Sequence, residues 1–550
     1  MNKFLYKLDR SIWLSLLNQD KILESLDFFE KYIDTLSRQK RKPEIKQEIE
    51  FAQKLFYTTL FDKSKIYIEN QDYCNAILCC NIMFKFDNLH IDAIKNYIKA
   101  LAKTNQKDLC IDMIEYLRTI TNNDKSLYKY FADMFCNLKD YKNAANYLKT
   151  FIDLQNSNEV SSYDVNLLGC YYNYLYNETF DINDINNAIK YYKLAHEKYP
   201  EYKIYIDNLC MMLSMTNRIK ESKQYWKKAL AMGLLTNNEA FEYSVLCLKN
   251  GDFEEYYEYS DSRFIKNNPI YFPEIKGSKW DGTFDISQKT LLVHWEQGFG
   301  DTILISGFIG KISTYAKNII FIVQDALFSL LKNNPYNIKV YADSHIDIDA
   351  LKYDYWIPAL DVLKVLKIDK NSAIADTNYI KLDKNKVNDY KTKYFNNEKL
   401  KIGLSTDGHN LGNKTRNLPI KYLKLLDNID NAEFYILNKD FPDDKVPNNT
   451  KNKFINLGKC FDNFENTAIA IENCDLVISA DNCILNLAGI LNKKTYGLFN
   501  WCYEYRWFDL SGEDVVWYKS VKPYINKEMN DWKPTIETVI KEIETEYKVK

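Results

Sequence analysis

The sequence predicts a protein of mixed α and α/β class, with a long helical region followed by a region of alternating strands and helices. From about residue 50 to residue 265, apolar residues recur at helical spacing with almost no strand-like alternation. After the segment "NNPIYFPEIKGSKWDG", short apolar runs typical of strands alternate with helical stretches. The length of 550 residues also exceeds what one hydrophobic core usually supports, so two or three domains are expected.

The helical region contains a repeat. Two sets of three segments align at a spacing of 34 residues. The aligned positions are Ala76, Cys110 and Ala144 in the first set, and Ala188, Ser222 and Tyr256 in the second. A small residue early in the second helix of a helix-turn-helix unit lets neighbouring helices pack closely, and Tyr256 fits an atypical last unit. An irregular helical bundle is the alternative, which would need the same spacing to arise twice.

Nine apolar runs predict the strands of the second region. They lie at 290–295, 318–323, 337–341, 353–358, 400–405, 432–437, 453–457, 475–479 and 494–499. Apolar strands that alternate with helices predict parallel sheets covered on both faces. The polar stretch "DKNKVNDYKTKYFNNEKL" separates the first four runs from the last five and predicts two doubly wound halves facing a cleft. A C-terminal helix is expected to open near Pro534.

Composition and charge exclude several classes of protein. The 73 Lys and Arg residues nearly balance 75 Asp and Glu residues, so bulk charge does not favour nucleic acid or an anionic membrane as partner. Twelve cysteines without a CxxC pair predict reduced thiols in the cytoplasm. The N-terminus lacks the uninterrupted apolar core of a signal peptide. The sequence also contains no apolar run of about 18 residues, so no membrane span is expected.

The segment "HWEQGFGDTIL" (294–304) lies where a strand gives way to a helix. The carboxyl ends of parallel strands are where ligands bind in open sheets, and Gly298 and Gly300 allow close approach of a ligand to the backbone. Asp301 is expected at the helix start, where the dipole stabilises a carboxylate. The alternative is that Asp301 only caps the helix. The GxGxxG fingerprint is absent, which argues against a nicotinamide-dependent dehydrogenase.

Two further segments follow predicted strands. "TDGHNLGNKTRNLPIKYL" (406–423) contains Lys414 and Arg416 beside a helix expected to begin near Pro419. Two cations next to the free amides of a helix start could bind a diphosphate; the alternative is an ordinary charged loop. "SADNCILNLAG" (479–489) places Asp481 at a helix start, where its position predicts an N-cap, alone or together with a ligand-binding role. Asn486, one turn further, needs a polar partner or solvent.

A metal site is not expected from the sequence. The five histidines form no metal-spaced cluster, and HExxH is absent. Asp347 and Asp349 form a DxD pair, but such pairs are frequent by chance in loops and no convincing strand precedes this one.

The helical units resemble the tetratricopeptide repeat. The C-terminal half resembles the glycosyltransferase domain that follows such repeats in many bacterial proteins, similar to the heptosyltransferase-like glycosyltransferases of family 9. The matching segments are "KWDG", "LLVHWEQGFGDTI", "KIGLS", "TRNLP", "CDLVISADNCILNLAGILNKKTYGLF", "YRW", "VVWY" and "NDW", over roughly residues 250 to 545. The layout also resembles that of O-linked N-acetylglucosamine transferases.

This resemblance implies an α-helical tetratricopeptide solenoid followed by a GT-B fold of two Rossmann-like lobes. It divides the chain into a helical cap (1–60), repeats (61–270), an acceptor-side lobe (271–395) and a donor-side lobe with the C-terminal helix (396–550). It implies metal-independent transfer from a nucleotide-sugar, with no cofactor, to a protein or glycan acceptor presented by the repeats. Flagellin or another surface protein is one candidate acceptor.

The resemblance also implies roles for the residues of the first segment. Asp301 matches the general base that takes the proton of the acceptor hydroxyl. Glu296, Gln297, Gly298 and Gly300 belong to the same loop and are expected to contact the acceptor.

On the donor side, Lys414 and Arg416 match a basic loop near the diphosphate, and Asp481 matches an acid of the donor site. Asn482 and Asn486 stand where the family usually has Thr and His. An amide can donate and accept hydrogen bonds but carries no charge near neutral pH.

A second departure from the family pattern is "STDG", which places Asp407 where phosphates are expected. A carboxylate there would repel a diphosphate unless it faces away. The alternative function is therefore a non-catalytic repeat scaffold with a degenerate GT-B binding domain.

Overall fold

The computed structural model describes residues 2–38, 42–86, 90–156, 159–265, 272–336, 338–406, 416–507, 515–527 and 531–547, with side chains from Arg10 onward. The chain divides into two compact units, Met1–Tyr199 and Pro200–Lys550. Each unit has its own architecture.

The first unit is entirely helical in its described residues. Its α-helices are α1 (Asn2–Asn18), α2 (Ile22–Ser37), α3 (Pro43–Glu69), α4 (Tyr73–Met83), α5 (Ile91–Lys103), α6 (Lys107–Ile120), α7 (Tyr128–Asn137), α8 (Tyr141–Asp153), α9 (Ser162–Thr179) and α10 (Ile182–Lys198). Successive helices from α3 to α10 form four hairpins. The predicted boundary at residue 60 falls inside α3, a continuous helix, so no break separates a cap from the repeats there.

One turn recurs in these hairpins every 34 residues. Gln71, Asn105 and Lys139 adopt left-handed backbone angles, with φ of 63°, 56° and 58°. The amide of the following residue donates to a carbonyl near the end of the first helix, as from Asp72 to Tyr67 at 2.8 Å. This is the hydrogen-bond pattern of a Schellman helix end, and it fixes the angle between the paired helices.

The predicted repeat positions behave alike in packing. In the first unit Ala76, Cys110, Ala144 and Ala188 are each 0 % exposed. In the second unit Ser222 is also 0 % exposed, and Tyr256 is 7 % exposed. A small side chain at this position allows the two helices of a hairpin to approach closely.

The second unit begins with helices and continues as an α/β region. Its α-helices are α11 (Lys203–Met215), α12 (Ile219–Ala231), α13 (Asn237–Lys249), α14 (Phe253–Tyr259), α15 (Phe299–Ile312), α16 (Asp325–Leu331), α17 (Asp361–Val365), α18 (Lys384–Tyr394), α19 (Phe464–Glu472), α20 (Cys483–Ile490) and α21 (Lys533–Glu546). Pro534 lies in the first turn of α21, as predicted.

The strands form two parallel sheets. They are β1 (Ser278–Lys279), β2 (Ile286–His294), β3 (Ala316–Val323), β4 (Lys339–Ala342), β5 (Tyr355–Pro358), β6 (Leu400–Ser405), β7 (Ala432–Ile436), β8 (Lys453–Asn456), β9 (Leu476–Ala480), β10 (Thr495–Asn500) and β11 (Val521–Asn526). The first sheet has the order β1-β5-β2-β3-β4, and the second has the order β11-β10-β9-β6-β7-β8. All nine predicted strands are present, so the predicted fold class is confirmed.

Short 3₁₀ helices complete the described secondary structure. They span Lys125–Leu127, Ser260–Phe264, Asp343–His345, Ile348–Ala350, Ile420–Asn428, Asp443–Lys445 and Gly458–Cys460. The helix expected near Pro419 does begin at Ile420, but it is a 3₁₀ helix rather than an α-helix.

Helices α11–α14 share a hydrophobic core with the α/β region. Cys210, Trp226 and Tyr256 belong to the same buried cluster as Val293 of β2 and Trp517. The last two helical hairpins are therefore packed into the second unit as part of one core, across the predicted boundary at residue 270.

Candidate functional site

A cavity of about 850 Å³ lies at the carboxyl ends of the two sheets. The first sheet contributes the start of α15, and the second contributes the ends of β7 and β9 with the start of α20. The segment 504–507, after β10, forms a further wall. This edge is where open parallel sheets bind ligands, because strand ends and helix N-termini converge there.

Asp301 lies in the first turn of α15 and lines this cavity. Gly298 is the N-cap residue, and its amide donates to Asp301 Oδ2 at 2.9 Å. The preceding Gln297 has φ +64°, so the chain turns sharply between β2 and α15. The sequence expectation that Asp301 stands at a helix start is met, and its carboxylate closes the end of the helix from the third position rather than as the N-cap.

Arg506 forms an ion pair with Asp301. Arg506 Nε lies 2.6 Å from Asp301 Oδ1, Arg506 Nη1 lies 2.8 Å from Glu504 Oε1, and Arg506 Nη2 donates to Gln297 Oε1. Burial raises the pKa of the Asp301 carboxyl above its usual value, while the guanidinium of Arg506 opposes the shift. A buried carboxylate with a raised pKa is a stronger base near neutral pH than an exposed one.

A second ion pair lies in the half that contains the second sheet. Arg416 Nη2 lies 2.8 Å from Asp481 Oδ1 and 3.1 Å from the Asp481 carbonyl oxygen. The indole of Trp507 donates to the same Oδ1 at 2.7 Å. Burial raises the pKa of Asp481, and Arg416 opposes that rise. Asp481 Oδ2 and Arg416 Nε are both buried without a hydrogen-bond partner among the described residues.

Asn482, rather than Asp481, is the N-cap of α20. Its Oδ1 accepts from the amides of Ile484 at 2.9 Å and Leu485 at 3.3 Å. Its Nδ2 donates to Ser405 Oγ at 2.8 Å, which ties the cap to the end of β6. The prediction of an Asp481 N-cap was therefore wrong by one residue, and the Asp481 carboxylate is left to pair with Arg416.

Asn486 lies on α20 against the start of α15. Its Oδ1 accepts from the Tyr518 hydroxyl at 3.1 Å. A Cβ built on Gly300 would lie 3.1 Å from Asn486 Nδ2, so Gly300 permits the close approach of the two helices. The amide of Asn486 thus has a polar partner and lines the cavity.

The remaining predicted site residues divide into three groups. Gln297, Gly298 and Gly300 line the cavity. Glu296 does not: it is 0 % exposed and pairs with Arg263 through contacts of 2.6 and 3.0 Å, so the prediction that it faces an acceptor is corrected. Lys414, like Asp407, lies outside the described residues.

Sequence reasoning assigned no role to Glu504, Arg506 or Trp507. The segment "YRW" (505–507) belongs to the family resemblance, but no sequence pattern predicts a role for its residues. Its position after β10, at the same sheet edge as Asp481, was the signal that could have identified it. Arg506 and Trp507 connect two of the carboxylates that line the cavity, Asp301 and Asp481, to one segment.

Among the described residues, no group of three or more His, Cys, Asp or Glu side chains is arranged to hold a metal ion. The DxD pair is engaged elsewhere: Asp347 caps a 3₁₀ turn by accepting from the Asp349 amide, and Asp349 pairs with Lys276. Across the same described parts of the chain, none of the helices combines the length and apolarity needed to cross a membrane.

No protein-family model matches this sequence, and a search of curated proteins gives no significant match. Solved structures do match. The glycosyl transferase family 9 structure from Veillonella parvula DSM 2008 is 12 % identical, with 47 % of this chain and 91 % of that chain covered and a TM-score of 0.36. Escherichia coli ADP-heptose LPS heptosyltransferase II is 11 % identical, with 46 % and 98 % covered and a TM-score of 0.34.

MamA 41-end from Desulfovibrio magneticus RS-1 is 14 % identical to this chain, with 32 % of this chain and 94 % of that chain covered and a TM-score of 0.28. The recurring helical hairpins and the two parallel sheets, rather than these low scores, define the architecture. The chain has a tetratricopeptide-like region of recurring helical hairpins, followed by an α/β region of two parallel, Rossmann-like sheets.

Proposed function

We propose that the protein is a glycosyltransferase that moves a sugar from a nucleotide-sugar to a hydroxyl group of a protein or glycan acceptor. One observation carries the proposal: a carboxylate from one parallel sheet and an arginine from the other line the same cavity. Asp301 comes from the start of α15 and Arg416 from the chain after β6. A base and a cation on two sides of a cleft suit attack by a hydroxyl and departure of a phosphate.

The proposed reaction is a single group transfer. The acceptor oxygen forms a bond to the anomeric carbon of the sugar and gives its proton to Asp301. The bond from that carbon to the diphosphate oxygen breaks, and the nucleoside diphosphate leaves with the electron pair. Arg416, with Lys414 as a further candidate, would stabilise the negative charge on the leaving group. The nucleotide-sugar is a co-substrate, and the scheme needs no metal ion or other cofactor.

The hydrogen bonds of Asp301 are compatible with a base. Gly298 N–H occupies Oδ2 and Arg506 occupies Oδ1, so each oxygen retains a lone pair for a hydroxyl. The same two contacts fix the orientation of the carboxylate. A fixed base does not need to be reoriented as the reaction proceeds, which lowers the barrier to transfer.

The helical region is proposed to bring the acceptor. Stacked hairpins of about 34 residues form an extended surface suited to a peptide or protein, and this supports a protein acceptor such as a flagellar or other surface subunit. A cytoplasmic location is part of the same proposal, since nucleotide-sugars are used there.

The alternative function is a non-catalytic scaffold with a degenerate binding domain. One observation favours it: both arginines that line the cavity, within the described chain, are already paired with carboxylates. Such pairing lowers the positive potential available to a diphosphate.

A ligand screen by thermal unfolding separates the two functions. Nucleoside diphosphates and nucleotide-sugars are added to the full chain, and the unfolding temperature is measured. A ligand at about 100 times its Kd stabilises the folded state by about 2.7 kcal/mol. We expect one nucleoside diphosphate to stabilise the wild type, and the Lys414→Ala, Arg416→Ala double variant to lose the shift. If no compound at millimolar concentration raises the unfolding temperature, the proposed glycosyltransferase function is contradicted.

A further inference from the structure

We propose that the last helical hairpin, α13 and α14 with the 3₁₀ turn Ser260–Phe264, is a positioning element of the site, in which Lys249 and Arg263 hold the two loops that meet in the Asp301–Arg506 pair. The inference rests on the proposed function for its kinetic consequences. It assigns a role in that function to Lys249 and Arg263, two residues of the repeat region that do not line the cavity.

The first loop is held by Arg263. Its guanidinium makes two bonds to Glu296, from Nε at 2.6 Å and from Nη2 at 3.0 Å, and Nη2 also donates to Asp361 Oδ1 at 2.7 Å. Arg263 is 2 % exposed and Glu296 is 0 % exposed. A planar guanidinium with two bonds to one carboxylate fixes both its distance and its direction. Glu296 is followed directly by Gln297 and by the turn that leads to Asp301.

The second loop is held by Lys249. Its ammonium group, at the end of α13, donates to the Tyr503 carbonyl oxygen at 3.0 Å and lies 4.6 Å from the centre of the Tyr503 ring. The neighbouring Cys502 thiol contacts the Ser214 carbonyl oxygen at 3.6 Å. These contacts fix the start of the segment that carries Arg506 and Trp507.

Tyr256 is a buried residue of α14, between Lys249 and Arg263 in the sequence. It occupies the position that is small in the other repeats, and its hydroxyl is close enough to interact electrostatically with both Arg263 and Arg506. In place of a further helix, the α/β region packs against α14: the Tyr257 hydroxyl donates to the Ile368 carbonyl oxygen at 2.8 Å. The atypical last repeat is therefore explained by its contact with the region that forms the site.

The two anchors converge on one pair of atoms. Glu296 precedes the Gln297–Asp301 turn, and Tyr503 precedes Arg506. Arg506 then bonds both Asp301 and Gln297. Because both anchors come from one hairpin, displacement of either should lengthen the Asp301–Arg506 pair, while the Arg416–Asp481 pair, on the proposed donor side, is kept.

The test uses Lys249→Met, which keeps the length of the side chain and removes its charge, and Arg263→Lys, which keeps the charge and removes the two-bond geometry. We expect each variant to transfer sugar at least tenfold more slowly with a nucleoside diphosphate affinity within threefold of wild type. The acidic limb of the pH–rate profile should move to higher pH, since Arg506 no longer stabilises ionised Asp301. Lys249→Arg should restore most of the rate.

Lys228→Met is the matched control, since Lys228 also lies over a tyrosine ring, 5.5 Å from the centre of Tyr225, but is exposed on α12. Its rate and pH profile should equal those of wild type. A merely structural role for Lys249 and Arg263 would lower the unfolding temperature without moving the pH profile, and that result would overturn the proposal.

Hydrogen–deuterium exchange tests the positioning role of Lys249 independently of the proposed reaction. In Lys249→Met, amides in peptides covering 502–507 should exchange faster than in wild type, whether or not any nucleotide-sugar is turned over. Unchanged exchange there would overturn the positioning role. Faster exchange in a protein that transfers no sugar would instead retain the positioning role and reject the transferase function.

Discussion

Arg506 Nε lies 2.6 Å from Asp301 Oδ1, so the segment after β10 of the second sheet is bonded to the helix that follows β2 of the first. The pair is largely buried, with 19 % of the arginine side chain and 12 % of the aspartate side chain exposed. An ion pair at this depth interacts more strongly than one at the surface, since water screens it less. It sets both the charge and the orientation of the proposed base.

Replacement of Arg506 by Gln is expected to shift the acidic limb of the pH–rate profile upward. Transfer needs ionised Asp301, and burial already raises its pKa while Arg506 opposes the rise. Removal of the guanidinium leaves burial unopposed, so the carboxylate takes up a proton at higher pH. Rates measured from pH 5 to pH 9 check this shift. Arg416→Gln, which removes the partner of Asp481 instead, should weaken nucleotide binding and leave the limb in place; equal shifts in both variants would contradict the assignment.

Two variants separate the roles of the Asn486 amide. Tyr518→Phe removes only the hydroxyl that donates to Asn486 Oδ1 at 3.1 Å, whereas Asn486→Ala removes the whole amide. If Asn486 also binds the nucleotide-sugar, Asn486→Ala should weaken nucleotide affinity at least fivefold and Tyr518→Phe less than twofold. Titration calorimetry measures both affinities. Equal losses would mean that Asn486 serves only to hold Tyr518.

Gly458→Ala is expected to disturb the cavity wall. A Cβ on Gly458 would overlap the Asn438 carbonyl oxygen, and Asn438 lines the cavity. Backbone must move to relieve the overlap, at a cost of about 1–3 kcal/mol or more in unfolding free energy. Gly233→Ala is the control, since a Cβ there meets nothing within 4 Å and only the positive φ of 69° is strained. Urea unfolding of both variants measures the loss of stability, and titration measures the nucleotide affinity of Gly458→Ala. An affinity equal to that of wild type would contradict the role of Asn438 in lining the nucleotide site.

Glu255 should make stability depend on pH in the acid range. It bonds Lys223, Lys227 at 3.0 Å and the Tyr243 hydroxyl at 2.7 Å. Burial alone would raise its pKa, but these partners lower it from 4.5 to about 2. The stabilisation, on the order of 3 kcal/mol, is present in full above the unfolded-state pKa and is lost as pH falls through the folded-state value.

Glu255→Gln should therefore be less stable than wild type above about pH 5, with a gap that narrows as the pH falls below the unfolded-state pKa. Urea unfolding at pH 7, 4 and 3 measures the gap. Glu254→Gln changes an exposed carboxylate on the same helix and should show no such pattern. A gap for Glu255→Gln that is constant with pH would contradict the assigned pKa.

The sequence was sufficient for most strands because buried parallel strands appear as unbroken apolar runs. Two strands were not predicted. β1 has only the polar residues Ser278 and Lys279, and β11 contains Pro523, which is typical of loops and of edge strands. The sheet order places β11 at an edge, where a missing amide hydrogen can be tolerated.

The positions of the candidate site residues could be predicted where they depend on the end of a strand, and could not where they depend on distant partners. Asp301 follows a strand of the first sheet and Asp481 a strand of the second, so the position of each at the carboxyl end of its sheet could be predicted. Glu296 was expected to contact an acceptor because the resemblance places it in the same loop as Asp301. Its burial depends on Arg263, which no local pattern indicates. The roles of Arg506 and Trp507 likewise depend on contacts across the cavity.

The most direct test of the transferase function is release of nucleoside diphosphate from a nucleotide-sugar in the presence of acceptor protein. The nucleotide-sugar is the one whose nucleoside diphosphate stabilises the fold. We expect wild type to release nucleoside diphosphate and to add the mass of the sugar to the acceptor. Asp301→Asn should bind the nucleotide equally well and transfer about 10²- to 10⁴-fold more slowly. An Asp301→Asn rate equal to wild type would remove Asp301 as the base, and no release by wild type with any stabilising nucleotide would contradict the transferase.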